Sequence, residues 1–270
     1  MLPPGKKTAG TIEAALEAPA RKKLSGSRKN LTRRIALTRW IAEVLDRLEA
    51  CWHNEASPPA LQHSEPLDGL ILTVLSQHTN DRNRDAAFSR LKERYPTWEE
   101  AVLAGYGAVE EAVRPAGLAP TKAGRILEIL KIVRGDFGRY SILPLADRGR
   151  DAAREYLLSL PGVGEKTAAC VLLFDMRLPA FPVDTHIARF CQRVGFVPGK
   201  TPAEEICRLM EREVAPDRYL GGHVNIIEHG RNICKARAPL CEKCAAAGLC
   251  MDMGCRGPRP LPGSGAEPLR

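Results

Sequence analysis

No stretch of this chain is apolar for long enough to span a bilayer, and no secretory h-region opens it. The expectation is a soluble intracellular protein, in the cytoplasm or nucleoid if the source is bacterial, whose cysteines are thiols or ligands and not disulfides. No run alternates apolar and polar residues far enough to argue for a strand, and no period of about 20 to 50 residues repeats. Sheet proteins and solenoids are thereby excluded, and an all-α fold is left. Charge is also scarce where a basic protein should show it. Of the net charge of +8, residues 1–34 supply +7, from nine Lys or Arg against Glu13 and Glu17, so the rest of the chain is nearly neutral. The basicity belongs to a tail interrupted by Pro3, Pro4 and Pro19 and lacking a sustained apolar period. It reads as disordered, suited to solubility or to salt-sensitive attraction for phosphate.

From Leu31 onward the text becomes helical. Ile35, Leu37, Ile41, Val44, Leu45 and Leu48 recur near the helical spacing with charges between them, which predicts an amphipathic helix. Ser57 to Pro66 holds three prolines and reads as a connector, and Leu67 to Ser76 is a dense apolar run suited to a buried helix. Further helical periods fall at 82–94, 98–104, 108–113, 121–134, 150–159, 184–194, 202–213 and near 219–230, with Pro or Gly in the turns between. Beyond Cys255, Gly and Pro dominate, so 256–270 reads as a flexible tail.

Four of the nine cysteines, Cys234, Cys241, Cys244 and Cys250, fall within seventeen residues as C-x6-C-x2-C-x5-C. Four soft thiolates can enclose tetrahedral zinc or a cubane iron–sulfur cluster. Zinc usually takes two short knuckle pairs, and here there is one. Coincidental small hydrophobes are a poor explanation for four cysteines in so short a loop. Lys235 and Arg237 lie between the first two, on a loop that a metal would close at both ends.

A second feature is Leu160-Pro161-Gly162-Val163-Gly164-Glu165-Lys166-Thr167. Pro161 stops one helix, and the two glycines permit a tight turn whose amides, with the free N–H groups of the next helix, could meet a phosphate oxygen. The same string could be no more than a helix stop. A third feature is Leu75-Ser76-Gln77-His78-Thr79-Asn80-Asp81, a helix end followed by a polar loop.

These strings resemble three separated motifs of the endonuclease III family, over roughly residues 35–255. The cysteine spacing and its lead-in, His229-Gly230-Arg231-Asn232-Ile233-Cys234, are similar to that family's cluster loop. The resemblance implies a [4Fe-4S] cluster on Cys234, Cys241, Cys244 and Cys250, with Cys51, Cys170, Cys191, Cys207 and Cys255 as non-ligands. Pro161 to Lys166 resembles the helix-hairpin-helix, with Gly162, Val163 and Gly164 as its DNA-binding turn. Its Gly/Pro…Asp continuation is Phe181-Pro182-Val183-Asp184, with Asp184 eighteen residues after Lys166. Lys166 and Asp184 are then the catalytic pair. An ordinary lysine, with a pKa of about 10.4, is a poor nucleophile at neutral pH, so the site must favour the uncharged amine, and the positive end of the helix that follows works in that direction. Asp184 could equally be the N-cap of a helix starting near Thr185, and both roles can hold at once.

The resemblance gives Gln77 and His78 as candidates to fill the gap left by an extruded base. A gapless match favours His78, whereas the Ser-Gln-x-Thr wording favours Gln77. Asp81 stands at the family's acidic position in a supporting role. The implied architecture has two helical domains. One is a six-helix domain at 61–179, and the other is a cluster domain built from 35–60 plus 180–255. The implied activity is that of a monomeric bifunctional glycosylase and abasic-site lyase on double-stranded DNA with damaged bases or abasic sites, oxidised pyrimidines foremost. The alternatives are a mismatch-specific glycosylase, whose adenine-excising branch places a glutamate near Thr73 where this chain has none, and a non-catalytic DNA-binding module.

Overall fold

The computed structural model describes residues 13–52 and 63–252, with side chains from Thr32 onward. Twelve α-helices follow in order: α1 Glu13–Trp52, α2 Pro66–Leu75, α3 Asp81–Arg94, α4 Trp98–Ala104, α5 Tyr106–Val113, α6 Ala119–Phe137, α7 Pro144–Asp147, α8 Arg150–Ser159, α9 Glu165–Phe174, α10 Thr185–Val194, α11 Ala203–Glu213 and α12 Tyr219–Asn232. Among the described residues there is no strand, and no helix is long and apolar enough to cross a membrane.

The ends of these helices are chemically specified. Glu65 caps α2, accepting from the amides of Leu67 and Ile142, and Pro66 takes the first position, where a missing N–H is harmless. Asn80 caps α3, and Thr97 with Glu100 forms a reciprocal capping box on α4. α7 was not expected from periodicity, because a single turn after Pro144 is too short to show a period. α1 also departs from expectation, since it begins at Glu13, inside the stretch read as a disordered tail. That stretch has no apolar period in its sequence, but Ala- and Glu-rich text such as Glu13-Ala14-Ala15-Leu16-Glu17-Ala18 favours a helix regardless. Residues 53–62, which hold most of the Ser57–Pro66 connector, Cys255 and the tail at 256–270 lie outside the described residues, as do residues 1–12 of the basic tail.

Two apolar cores organise the rest. The first gathers Leu67, Leu70 and Ile71 of α2, Leu91 of α3, Ile126 and Leu130 of α6, Leu157 of α8 and Val171 and Leu172 of α9. The second gathers Ile41, Val44, Leu45 and Leu48 of α1 with Phe181, Ile187 and Phe190, Met210 of α11 and Ile226 of α12. Each such side chain removed from water contributes about 1.5–3 kcal/mol. α9 belongs to both, since Ala168, Ala169, Val171 and Leu172 face the first core and Leu173 the second. Its short apolar sequence has no polar face to give to solvent, so the helix is held from both sides. Its first turn is thereby fixed relative to α10, which starts from the second core.

Candidate active site

The turn between α8 and α9 is the hairpin read from the sequence. Gly162 has φ +73°, a left-handed backbone that disfavours any residue with a side chain. A Cβ there would also come within 2.7 Å of the Arg125 side chain. Gly164 is the N-cap of α9 and offers no side-chain acceptor, so the first amides of the helix lack a side-chain cap and are open to an outside oxygen. Lys166 stands exposed in that first turn.

Asp184 arrives from the other core. Its Oδ1 accepts from the amides of His186 (2.8 Å) and Ile187 (2.9 Å), capping α10, and the side chain is only half-buried. The segment leading to it is pinned by His223 on α12, whose Nδ1 lies 2.9 Å from the Pro182 carbonyl and must donate to it. Lys166 and Asp184 both act electrostatically on the buried Cys170 thiol and on the His223 ring. The fold thus brings a lysine and an aspartate on two different helices to one neighbourhood.

Full burial pushes the His223 pKa from 6.5 down to about 4, because the imidazolium cannot be solvated there. The folded value lies below the unfolded one, so between them the unfolded chain binds the extra proton. The stability associated with neutral His223 is complete above about pH 6.5 and is lost as pH falls toward about 4. Unfolding free energies from urea titrations run from pH 7 to 4.5 should decline through this window, by at most about 3 kcal/mol from this group. The slope should flatten in a His223→Gln variant, and an equally steep slope in that variant would remove His223 as its cause.

Gln77 and His78 occupy different situations. Gln77 Nε2 donates to the Gly162 carbonyl at 3.0 Å, and its Oε1 accepts from Arg125 at 2.9 Å. It is a brace between the loop after α2 and the hairpin. His78 is exposed and sits at φ +54°. The base of the loop is held by Lys122, a buried lysine whose ammonium donates to the carbonyls of Leu75 and Ala116, both at 2.8 Å. Burial lowers its pKa. Asp81 pairs with Arg84 at 3.1 Å and, across to α12, with Arg231 at 3.0 Å. Leu118, 58% exposed and also at positive φ, projects from the turn ahead of α6, beside the Ala116 carbonyl that Lys122 binds.

Sequence reasoning did not find Lys122, Arg125, Leu118 or Arg231. Lys122 alone left a signal, since it falls on the same helical stripe as Ala119, Ala123 and Ile126, where a lysine is out of place unless paired.

The four clustered cysteines line one recess together with Phe190 and Leu240. Among the described residues no group of three or more His, Cys, Asp or Glu is gathered tightly enough to hold a single metal ion. Arg193 of α10 donates to the carbonyls of Lys235 (2.7 Å) and Ala236 (3.0 Å) and approaches Cys234 Sγ at 3.5 Å. Arg189 holds the carbonyls of Cys234 (3.0 Å) and Gly230 (2.9 Å). With its backbone tied inward, this loop leaves Lys235 and Arg237 exposed. Burial pushes the thiols of Cys170, Cys191 and Cys207 up to about 11, 12 and 11, as suits unreactive packing cysteines.

Comparison with known proteins points one way. Residues 71–216 match the family model for "HhH-GPD superfamily base excision DNA repair protein". Endonuclease III of Thermotoga maritima is 38% identical over 189 residues, covering 70% of this chain and 84% of the relative. Endonuclease III of Sulfolobus acidocaldarius is 31% identical over 183 residues, covering 67% and 79%. A trapped endonuclease III–DNA covalent intermediate has a similar structure, with a TM-score of 0.69 at 28% identity over 80% of this chain and 96% of the other. A thermostable thymine-DNA glycosylase, at 20% identity and a TM-score of 0.66, shares the fold.

Proposed function

The chain belongs to the HhH-GPD superfamily of base excision DNA repair proteins, within its endonuclease III family, and from that premise we propose a bifunctional DNA N-glycosylase and abasic-site lyase with Lys166 as nucleophile and Asp184 as its assistant. Its substrate is double-stranded DNA carrying damaged bases or abasic sites, with oxidised pyrimidines as the damaged class, and it acts as a monomer in the cytoplasm or nucleoid. The observation that carries this reading is the placement of Lys166 in the first turn after the hairpin and of Asp184 at the cap of α10, both near enough to Cys170 and His223 to act on them electrostatically.

The neutral Lys166 amine attacks sugar C1′ while the glycosidic bond breaks and its electron pair leaves with the base. Asp184, anchored by the α10 amides through one oxygen, keeps its other oxygen for positive charge on the sugar or for a proton in transit. The C1′–O4′ ring bond then opens, O4′ taking a proton as the C1′=N Schiff base to Lys166 forms, and loss of the C2′ proton breaks the C3′–O bond, which expels the 3′ phosphate and cuts the strand. The Val163 amide is spent on the Leu160 carbonyl at 3.2 Å, so the Gly164 amide and the first turn of α9 are the groups suited to a phosphate of the damaged strand, and Lys235 and Arg237 to another. With Gln77 occupied as a brace, His78 is the side chain free to fill the gap, and the exposed Leu118, next to the turn that Lys122 ties to Leu75, is a candidate second wedge.

Accordingly, His78→Ala should slow excision from duplex DNA about tenfold to a hundredfold, as expected for a lost stacking partner, and change excision from single strands little. Equal losses on both substrates would count against the gap-filling role.

Cys234, Cys241, Cys244 and Cys250 would hold a [4Fe-4S] cluster. The donor set fits it, with four soft thiols around one recess. Bound there, the cluster supplies four thiolate bonds that close the basic loop. Purified protein should be brown and should contain iron and sulfide, and colourless protein with stoichiometric zinc would refute the cluster. The function itself is tested on duplexes with thymine glycol, 5-hydroxycytosine, uracil and mismatched adenine or thymine. Cleavage of the first two, with a borohydride-trapped adduct, supports the proposal. Cleavage of mismatched bases alone would move the chain to a mismatch-specific glycosylase.

A further inference from the structure

Away from the catalytic pair, a chain of hydrogen bonds ends on one of the four clustered cysteines. Trp52 Nε1, at the end of α1, lies 3.4 Å from His229 Nδ1, and His229 Nε2 lies 3.3 Å from Cys244 Sγ. The imidazole is wholly buried, with the rings of Phe190 and Trp52 edge-on to it at centroid distances of 5.5 and 6.2 Å. An indole N–H can only donate, so Nδ1 must present its lone pair. That excludes the imidazolium and the other tautomer on geometry alone. The ring proton then sits on Nε2, the nitrogen facing the sulfur. A thiolate bound to iron can only accept.

We infer that Trp52 locks His229 in the Nε2–H tautomer, so that it donates to the Cys244 sulfur and raises the reduction potential of the cluster held there. The inference rests on the cluster reading above. A hydrogen bond to a ligand sulfur stabilises the state with more negative charge on the cluster, so its loss makes the cluster easier to oxidise. Trp52 and His229 lie 177 residues apart, and the bond joins the long N-terminal helix to the cysteine loop. Both residues are positioning residues for the ligand sulfur and neither touches DNA in the proposed mechanism.

The test uses the full-length, metal-loaded protein and three variants: Trp52→Phe, which keeps a ring and removes one N–H, His229→Phe, which removes the donor to sulfur, and His229→Gln, which keeps an amide donor. Iron and sulfide are measured first, then the reduction potential by film voltammetry and the rate of bleaching by ferricyanide. With iron and sulfide unchanged, Trp52→Phe and His229→Phe should shift the potential negative and bleach about fivefold faster, the factor associated with one net hydrogen bond. His229→Gln should stay closer to the parent. Parent-like potential and bleaching in Trp52→Phe, with the cluster intact, would overturn the relay and leave the cluster reading standing. A parent protein without iron and sulfide would overturn the cluster reading itself, and the relay with it. If His229→Phe does not load, Trp52→Phe decides the matter.

Discussion

Replacing Lys166 by alanine is expected to abolish the borohydride-trapped complex with abasic DNA and to reduce strand cleavage by roughly 10³-fold or more, the scale on which a removed nucleophile is felt. The fold should not notice. Lys166 is exposed, and alanine is the best helix former, so the unfolding free energy should match the parent within about 0.5 kcal/mol. The hairpin glycines and the phosphate-directed amides of α9 are untouched, so binding to undamaged duplex should weaken only by the loss of one cation. A chain that binds DNA as before and no longer forms the adduct is the signature of a missing nucleophile. Undiminished trapping in the variant would assign the amine elsewhere.

The second large effect concerns Asp184, which holds two jobs that one substitution can separate. Asn and Asp are comparable N-caps, and the amide oxygen of Asp184→Asn can still accept from His186 and Ile187. Stability should therefore change little. The negative charge and the proton-accepting oxygen are gone, and base excision should slow by about 10²- to 10⁴-fold. Asp184→Ala should show the same catalytic loss together with about 1 kcal/mol of lost stability, from the missing cap. If Asp184→Asn excised bases at the parental rate, the residue would be a helix cap and nothing more.

Much of the helical plan was legible because amphipathic helices advertise themselves locally. Ile41, Val44, Leu45 and Leu48 fall on one stripe of α1 and all are buried. The windows read at 82–94, 98–104 and 150–159 end where α3, α4 and α8 end. The failures are also physical. α7 is one turn long, and the start of α1 is helical by propensity with no core-facing stripe to reveal it. The hairpin was legible through Gly162, because a left-handed turn packed against Arg125 leaves little choice of residue.

The candidate site divides in the same way. A spacing of cysteines, a Pro-Gly-Val-Gly turn and an Asp ahead of a helix are local strings, and they pointed to the four thiols, the hairpin and the proposed catalytic pair. Which of Gln77 and His78 is free was not local. It depends on a carbonyl 85 residues away at Gly162 and a guanidinium 48 residues away at Arg125. The same holds for Lys122 on Leu75 and for Arg231 on Asp81, 150 residues apart.

By itself the sequence determined an all-helical chain, where most helices begin and end, and which side chains are the candidates for nucleophile, acid and thiolate chemistry. Those properties follow from periodicity, propensity and residue type, which act over a few residues. Only the tertiary structure decided which polar groups are occupied and which are free, because hydrogen bonds between distant segments leave no periodic trace in the text. That distinction separates Gln77 the brace from His78 the exposed tip, and it assigns the single proton of His229 to the nitrogen facing Cys244.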